Sequence, residues 1–329
     1  MTISLKRRTL LTAAAALGLA PGWSGAQALA AQFPTKPIRL VVPFGPGGIA
    51  DLTARVIAQK LGENLRQPVV VDNRPGAGGV VAGEAVAKAD PDGHVLLLMS
   101  NGTAVSAGMF QSLPFDAQKD FAPVATLGFF DLAVLTTADS RFASMKDLLA
   151  FAKANPGKLN VATINVGSTQ HLSAELLKTS AGVDFQVVPF NGSPAVLTAL
   201  RGGQVDAAIE ILGPMLSQIT ARAVRPLAVM GTQRAAALPE VPTVAQSGVP
   251  GFDVASWNAL AAPARTPPAV VALLNREVNK TLADAGVRKQ LADLNVSPRP
   301  GTPDQLRELL ASEVRRWSDV IVRAKVPRQ

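Results

Sequence analysis

The stretch Ile38–Leu61, IRLVVPFGPGGIADLTARVIAQKL, decides how the chain is to be read. An apolar run ends at Pro43-Phe44, a Gly-Pro-Gly-Gly turn follows, and an amphipathic segment begins near Asp51. This is strand, glycine turn, helix. The turn delivers bare backbone N–H groups at a helix start, where the macrodipole and the unpaired donors favour an anion.

Outward from this unit the alternation continues, as in an α/β protein with parallel strands. The helix is expected over about Asp51 to Leu65, with Leu52, Val56, Leu61 and Leu65 on its apolar face. PVVVDN reads as a second strand, RPGAGG as the opening of a helix through Ala89, and HVLLLMS as a third strand. FAPVATLGFFDLAVLTT reads as one strand crossing into a second lobe, where the pattern starts again. There KLNVATI, FQVVPF, QVDAAIEI and VRPLAVMG are strands, and Ser144–Asn155, the HLSAELLKTSAG run and Ala195–Arg201 are helices. The proline-bearing segment from Leu238 to Pro268 reads as a connector crossing back. Helices over Pro268–Ala285, Val287–Leu294 and Pro303–Val322 close the chain. The expected layout is one lobe from 31–130 plus 258–329 and another from 131–257, with ligand in the cleft beyond the carboxyl ends of the strands.

Residues 1–30 read as an export signal: Lys6-Arg7-Arg8, an apolar run from Leu10 to Ala20, then small residues up to Ala30. Arg7-Arg8 gives it a twin-arginine character. The apolar run is shorter than the ~20 residues that span a bilayer. Removing those three cations leaves 29 of the 32 basic residues against 24 acids, a surplus of +5. That surplus suits anionic small molecules and, with 5% aromatics and no basic run, argues against nucleic acid. The absence of cysteine excludes disulfides, thiolate nucleophiles and Cys-based metal sites. With only His94 and His171 to offer imidazole, multi-histidine metal centres are excluded as well.

Gly45-Pro46-Gly47-Gly48-Ile49-Ala50 fits the short dinucleotide fingerprint G-x-G-x-x-G/A, with Asp72 ending the next strand. An exported Rossmann-type oxidoreductase is therefore one reading, although Pro46 removes an N–H that a pyrophosphate would use. A plain packing turn is another. Ser168, His171 and Glu175 invite comparison with a nucleophile, base and orienter, but their spacing makes Ser168 a helix cap with His171 and Glu175 one turn apart. The turn NVGSTQ, Asn165–Gln170, repeats the first turn in the second lobe. Two such turns, one per lobe, would let a small molecule with negative ends bridge the lobes.

Resemblance narrows these readings. VVPFGPGGIADLTAR, VVVDNRPGAGG, AKADPDGHVLLL, GSTQHLSAELL and VPFNGSPAVLTALRGGQVD occur in this order. RPLAVMGTQRAAALPEVPTVAQSGVPGF, Trp257 and APARTPPAVVALLN follow. Together they resemble the extracytoplasmic solute-binding receptors of the tripartite tricarboxylate transporter family, over essentially the whole chain after residue 30. The resemblance implies a type II periplasmic-binding-protein fold, two lobes joined by two crossovers, closing on a small organic carboxylate. It implies no catalysis, cofactor or metal, a monomer in the periplasm, and delivery to membrane permease subunits. A ligand-sensing module for a membrane sensor kinase is the alternative within the same fold. The site residues it implies are Phe44, Gly47, Gly48 and Asp51 in one turn and Gly167, Ser168, Thr169 and His171 in the other. Asn191 is expected at the cleft, where Phe190-Asn191-Gly192 replaces the family's Tyr-Lys-Gly. Gln246 and Asn258 are further departures. Asp51 is expected to cap its own backbone and to offer a carboxylate to the ligand. Gly48 is expected to need bare backbone and a positive φ.

Overall fold

The computed structural model describes residues 33–328, so the expected export signal lies outside the described residues. Its first half carries β1 (Ile38–Val42), α1 (Ile49–Leu65), β2 (Val69–Asn73), α2 (Val80–Ala87), β3 (Val95–Ser100) and α3 (Asn101–Met109). Then comes β4 (Phe121–Thr137), the 17-residue strand that the sequence reads as a crossing. The second half carries α4 (Met145–Ala154), β5 (Asn160–Ile164), α5 (Thr169–Ala181) and β6 (Gln186–Phe190). It continues through α6 (Ser193–Arg201), β7 (Ala207–Ile211), α7 (Leu212–Thr220) and β8 (Val224–Val229). The chain returns through β9 (Ala255–Pro263), then α8 (Pro268–Ala283), α9 (Ala285–Asp293), β10 (Val296–Pro298) and α10 (Pro303–Arg323).

One curled sheet runs β2-β1-β3-β9-β4-β7-β5-β6, with β8 and β10 also paired to β4. β4 serves both halves. Phe121–Asp131 pairs antiparallel with β9, and Leu132 onward pairs antiparallel with β7 and β8. The return is pinned beside the same point: Met230 N–H donates to Leu132 O at 2.9 Å and Val254 N–H to Met230 O at 2.7 Å. The chain thus passes between the halves twice, in adjacent tracks.

Two expectations change. The strands are not all parallel. β1, β2 and β3 are parallel, as are β5, β6 and β7, but the centre is antiparallel because β4 and β9 carry the chain across and back. β9 itself lies within the segment whose sequence reads as a connector. The buried face of α1 is also rotated from the large-residue stripe. Ala50, Ala54, Ile57, Ala58 and Leu61 are buried, while Leu52, Val56 and Leu65 are half-buried. Alanines let the helix axis approach the sheet, so close packing there outweighs the bulk of the leucines. α10 follows its amphipathic period: Leu306, Leu310, Trp317, Val320 and Ile321 are buried, each of the large ones contributing about 1.5–3 kcal/mol by burial.

Because β1 and β3 are parallel in one half, and β5, β6 and β7 in the other, their carboxyl ends emerge along one edge of each half. The helix starts that follow β3 and β5 meet, where Asn101 Nδ2 donates to Thr169 Oγ1.

Candidate functional site

The first turn is built as bare backbone. Gly47 has φ +84°, a left-handed conformation that glycine adopts freely. Gly48, the residue before α1, has φ −82° and ψ 169°, so the positive φ expected at Gly48 belongs to its neighbour. A Cβ placed on Gly45, Gly47 or Gly48 would meet nothing within 4 Å. No side chain caps α1. The first N–H groups of a helix have no carbonyl four residues back, and here the residue before them leaves the space beside its Cα free.

Asp51 lies under this turn and holds it. Its carboxylate is 2% exposed and accepts from Gly47 N–H at 2.9 Å, Asn73 Nδ2 at 3.0 Å and Arg55 Nε at 3.1 Å. Arg55 Nη2 adds an ion-pair contact of 2.9 Å. Asn73 Nδ2 also donates to Phe44 O at 3.0 Å, which fastens the start of the turn. Burial would raise the Asp51 carboxyl, but the bonds from Arg55, Gly47 and Asn73 outweigh it and hold the group below its ordinary value. Asp51 thus fixes the turn as expected, but through the Gly47 N–H that precedes the helix, so it does not cap α1 itself. Its two oxygens are occupied from inside the protein.

The second turn is built differently. Gly167 has φ +82°, and Ser168 caps α5 by accepting from His171 N–H at 3.1 Å through Oγ, which itself donates to Ile164 O at 3.2 Å. Gly167, Ser168, Thr169 and His171 are buried, whereas Pro46 and Gly47 are exposed. His171 has a buried Nδ1 without a partner, and burial, helped by the nearby Lys178 charge, pushes its pKa down to about 4. The imidazole is neutral and inward, a structural member of the helix start. Asn191 is exposed at the turn after β6, and Gly192 precedes α6, which has no side-chain cap.

The halves touch around these turns. Asn101, fully buried at the start of α3, donates from Nδ2 to Thr169 Oγ1 at 3.2 Å, and Thr169 Oγ1 lies 3.2 Å from Ser256 Oγ on β9. Trp317 Nε1 donates to Asn101 Oδ1 at 2.7 Å and shares that hydrogen with Glu313 Oε2 at 2.8 Å. A Cβ on Gly102 would lie 3.7 Å from the Phe44 ring, so Phe44, α3 and Thr169 form a continuous path from one turn to the other. Cβ positions built on Gly167 and Gly213 would lie 3.8 Å from Met109 and 3.6 Å from Ile49 Cδ1, two more contacts between the halves. The structure thus brings Phe44 and Thr169 to one network, keeps Gly47 and Gly48 open, sets Asp51 and His171 behind their turns, and leaves Asn191 exposed.

The sequence missed Asn101, Ser256 and Glu210. The signal for the first was present in Ser100-Asn101-Gly102-Thr103, a capping box in which Ser100 Oγ accepts from Gly102 N–H at 3.1 Å and Ser100 N–H donates to Thr103 Oγ1 at 3.2 Å. Of the departures, Gln246 is a local brace, its Oε1 accepting from Thr243 N–H at 3.1 Å and Arg234 Nε at 3.1 Å. Asn258 is buried in β9 with both amide atoms unpartnered. Among the described residues there is no cluster of three His, Cys, Asp or Glu that could hold a metal.

The profile of tripartite tricarboxylate transporter family receptors matches residues 53–326. A protein encoded in the tcbD–tcbE intergenic region of Pseudomonas sp. strain P51 is 40% identical over 97% of this chain and 95% of its own. Protein BugT of Bordetella pertussis is 37% identical over 95% of this chain and 97% of its own. Among solved structures, R. palustris Rpa4515 with adipate superposes with a TM-score of 0.85 at 34% identity, covering 90% of this chain and 100% of that one. MatC from Rhodopseudomonas palustris with bound malate gives a TM-score of 0.81 at 35% identity, covering 88% and 100%. The curled two-half sheet crossed twice by the chain is the type II periplasmic-binding-protein fold, and the chain belongs to the tripartite tricarboxylate transporter receptor family of solute-binding proteins.

Proposed function

We propose that this receptor, exported to the periplasm, captures a small organic carboxylate in the cleft between its lobes and delivers it to membrane permease subunits, as a monomer and without chemical turnover. The observation that carries this reading is the first turn: an uncapped helix start with open space over Gly45, Gly47 and Gly48, fixed from beneath by Asp51. A carboxylate there would supply the missing cap, with donors and dipole both favouring it. The second turn, tied to α3 of the first lobe through Asn101, brings the start of α5 to the cleft from the opposing lobe. The adipate and malate held by the two R. palustris relatives support the carboxylate class. We take the lobes to divide near residues 130 and 257, as the sequence suggests, with Asn191 at the rim admitting the ligand. No helix among the described residues is long and apolar enough to cross a membrane.

The test is thermal denaturation with a panel of mono- and dicarboxylates and their amides and methyl esters. A cognate ligand at a hundred times its dissociation constant should stabilise the folded state by about 2.7 kcal/mol. Equal stabilisation by the amides or esters would show that no anion is being recognised.

A further inference from the structure

Glu210 ends β7 at 1% exposure, within reach of residues that follow both turns of the second lobe. Its Oε2 accepts three hydrogen bonds: from Ser193 Oγ at 2.9 Å, from Gln170 Nε2 at 3.3 Å and from Ile211 N–H at 3.2 Å. Ser193 opens α6 after the Asn191-Gly192 turn, and Gln170 lies in the first turn of α5. Oε1 is buried with no partner. Just beyond, Gly213 is the residue whose Cβ would meet Ile49, the first residue of α1 in the other lobe. Glu210 therefore stands three residues before an inter-lobe contact, with one carboxyl oxygen saturated and the other vacant.

The surroundings decide its protonation. The titratable groups on the elements packed against β7 are Asp131 on β4, His171, Glu175 and Lys178 on α5, and Arg201 on α6; β5 and α7 carry none. No charged neighbour shifts Glu210, and burial pushes its pKa up to about 7 against the three hydrogen bonds. With Oε2 receiving three donors, a proton on this group belongs on Oε1. An uncompensated buried carboxylate is costly, and a buried O–H without an acceptor is only less so. Both costs disappear if the ligand brings an anionic acceptor.

We propose that Glu210, as the neutral acid, donates its Oε1–H to the far carboxylate of a dicarboxylic acid whose near carboxylate caps α1, so that this side chain makes the receptor select dicarboxylates. This rests on the carboxylate reading above and adds the second anchor. It predicts that binding and protonation are coupled, because ionised Glu210 would repel the same carboxylate.

The experiment is calorimetric titration of the dicarboxylate series from succinate to adipate, and of their monomethyl esters, between about pH 6 and about pH 8.5, a window that brackets the expected ionisation. For the wild type, affinity for the best dicarboxylate should fall with rising pH, approaching tenfold per pH unit above about 7, with proton uptake on binding. The monoester should show a flat profile. Glu210→Gln keeps an oxygen acceptor for Ser193, Gln170 and Ile211 and places an amide donor at the vacant position. It should retain the dicarboxylate within about tenfold of the low-pH wild type and lose the pH dependence. A wild-type affinity that is flat or rises with pH would overturn the proposal without any variant. So would a Glu210→Gln profile parallel to the wild type. If carboxylates bind with Glu210-independent pH profiles, this inference alone fails; if no carboxylate binds at any pH, the functional reading fails and takes this one with it.

Discussion

Replacing Asp51 separates a residue that shapes the site from one that touches the ligand. In Asp51→Ala the Gly47 N–H loses its acceptor, Asn73 loses one of two, and Arg55 loses its ion pair. The unpaired backbone donor costs about 1–2 kcal/mol and the Asn73 bond about 1 kcal/mol. The ion pair adds only about 0–1 kcal/mol, because Arg55 is half exposed and screened by solvent. The expected loss is about 2–4 kcal/mol in urea denaturation at neutral pH. It should carry a pH signature. Asp51 is held below its ordinary value of 3.8, so its contribution is complete above that value and is lost as pH falls through the lower folded value. Wild type and variant should therefore differ by a constant amount at neutral pH and converge in strong acid. Asp51→Asn adds the decisive comparison. Removing a negative charge near an anion site should strengthen binding if the turn kept its shape, since the electrostatic change favours the ligand. Because the carboxylate instead fixes the turn, carboxylate affinity in Asp51→Asn should fall about tenfold or more, the loss of one well-placed bond to a charged group. Unchanged stability with equal or tighter binding would refute the assignment.

Two further outcomes follow from the buried network. His171 is neutral, its pKa down at about 4, so the folded state loses stability as pH falls from the unfolded value of 6.5 toward that point. Wild type should lose about 2–3 kcal/mol between neutral pH and about pH 4.5, and His171→Leu should lose correspondingly less when urea midpoints are compared. Asn101→Ala removes the bond to Thr169 and one of the two acceptors of Trp317 Nε1, at an expected 1–3 kcal/mol, roughly, in the same assay. Carboxylate affinity should weaken with it, since the start of α5 is no longer tied to the other lobe.

Much of this architecture was legible because its signals are local. The β1–turn–α1 and β5–turn–α5 units announce themselves through apolar runs, glycines and a serine cap, and β4 shows as an unbroken strand pattern between lobes. What escaped was set by tertiary context. The α3 sequence, NGTAVSAGM, has poor helix formers and no apolar stripe, yet it is buried on most sides, where packing overrides propensity. The α7 segment, LGPMLSQIT, carries glycine and proline in its first turn, which hides the helix in the sequence. β9 lies in a proline-rich stretch that reads as a connector, and its membership of the sheet comes from pairing with both β3 and β4. Glu210 gives no local sign at all. Its side-chain partners stand 17 and 40 residues away, and only the carboxyl-end convergence of β5, β6 and β7 assembles them.

The central claim, that a carboxylate caps the open turn at Gly48, is tested most directly by calorimetry on Gly48→Val. Gly48 has an ordinary negative φ and room for a side chain, so the variant should keep a cooperative melt near that of the wild type. Its isopropyl group would occupy the space over the helix start and deny the ligand at least one hydrogen bond, worth about 1.5–3 kcal/mol to a charged group. The account predicts a folded protein whose affinity for the wild-type carboxylate falls ten- to a hundred-fold, roughly, or more. A folded Gly48→Val that binds that carboxylate as tightly as the wild type would contradict it.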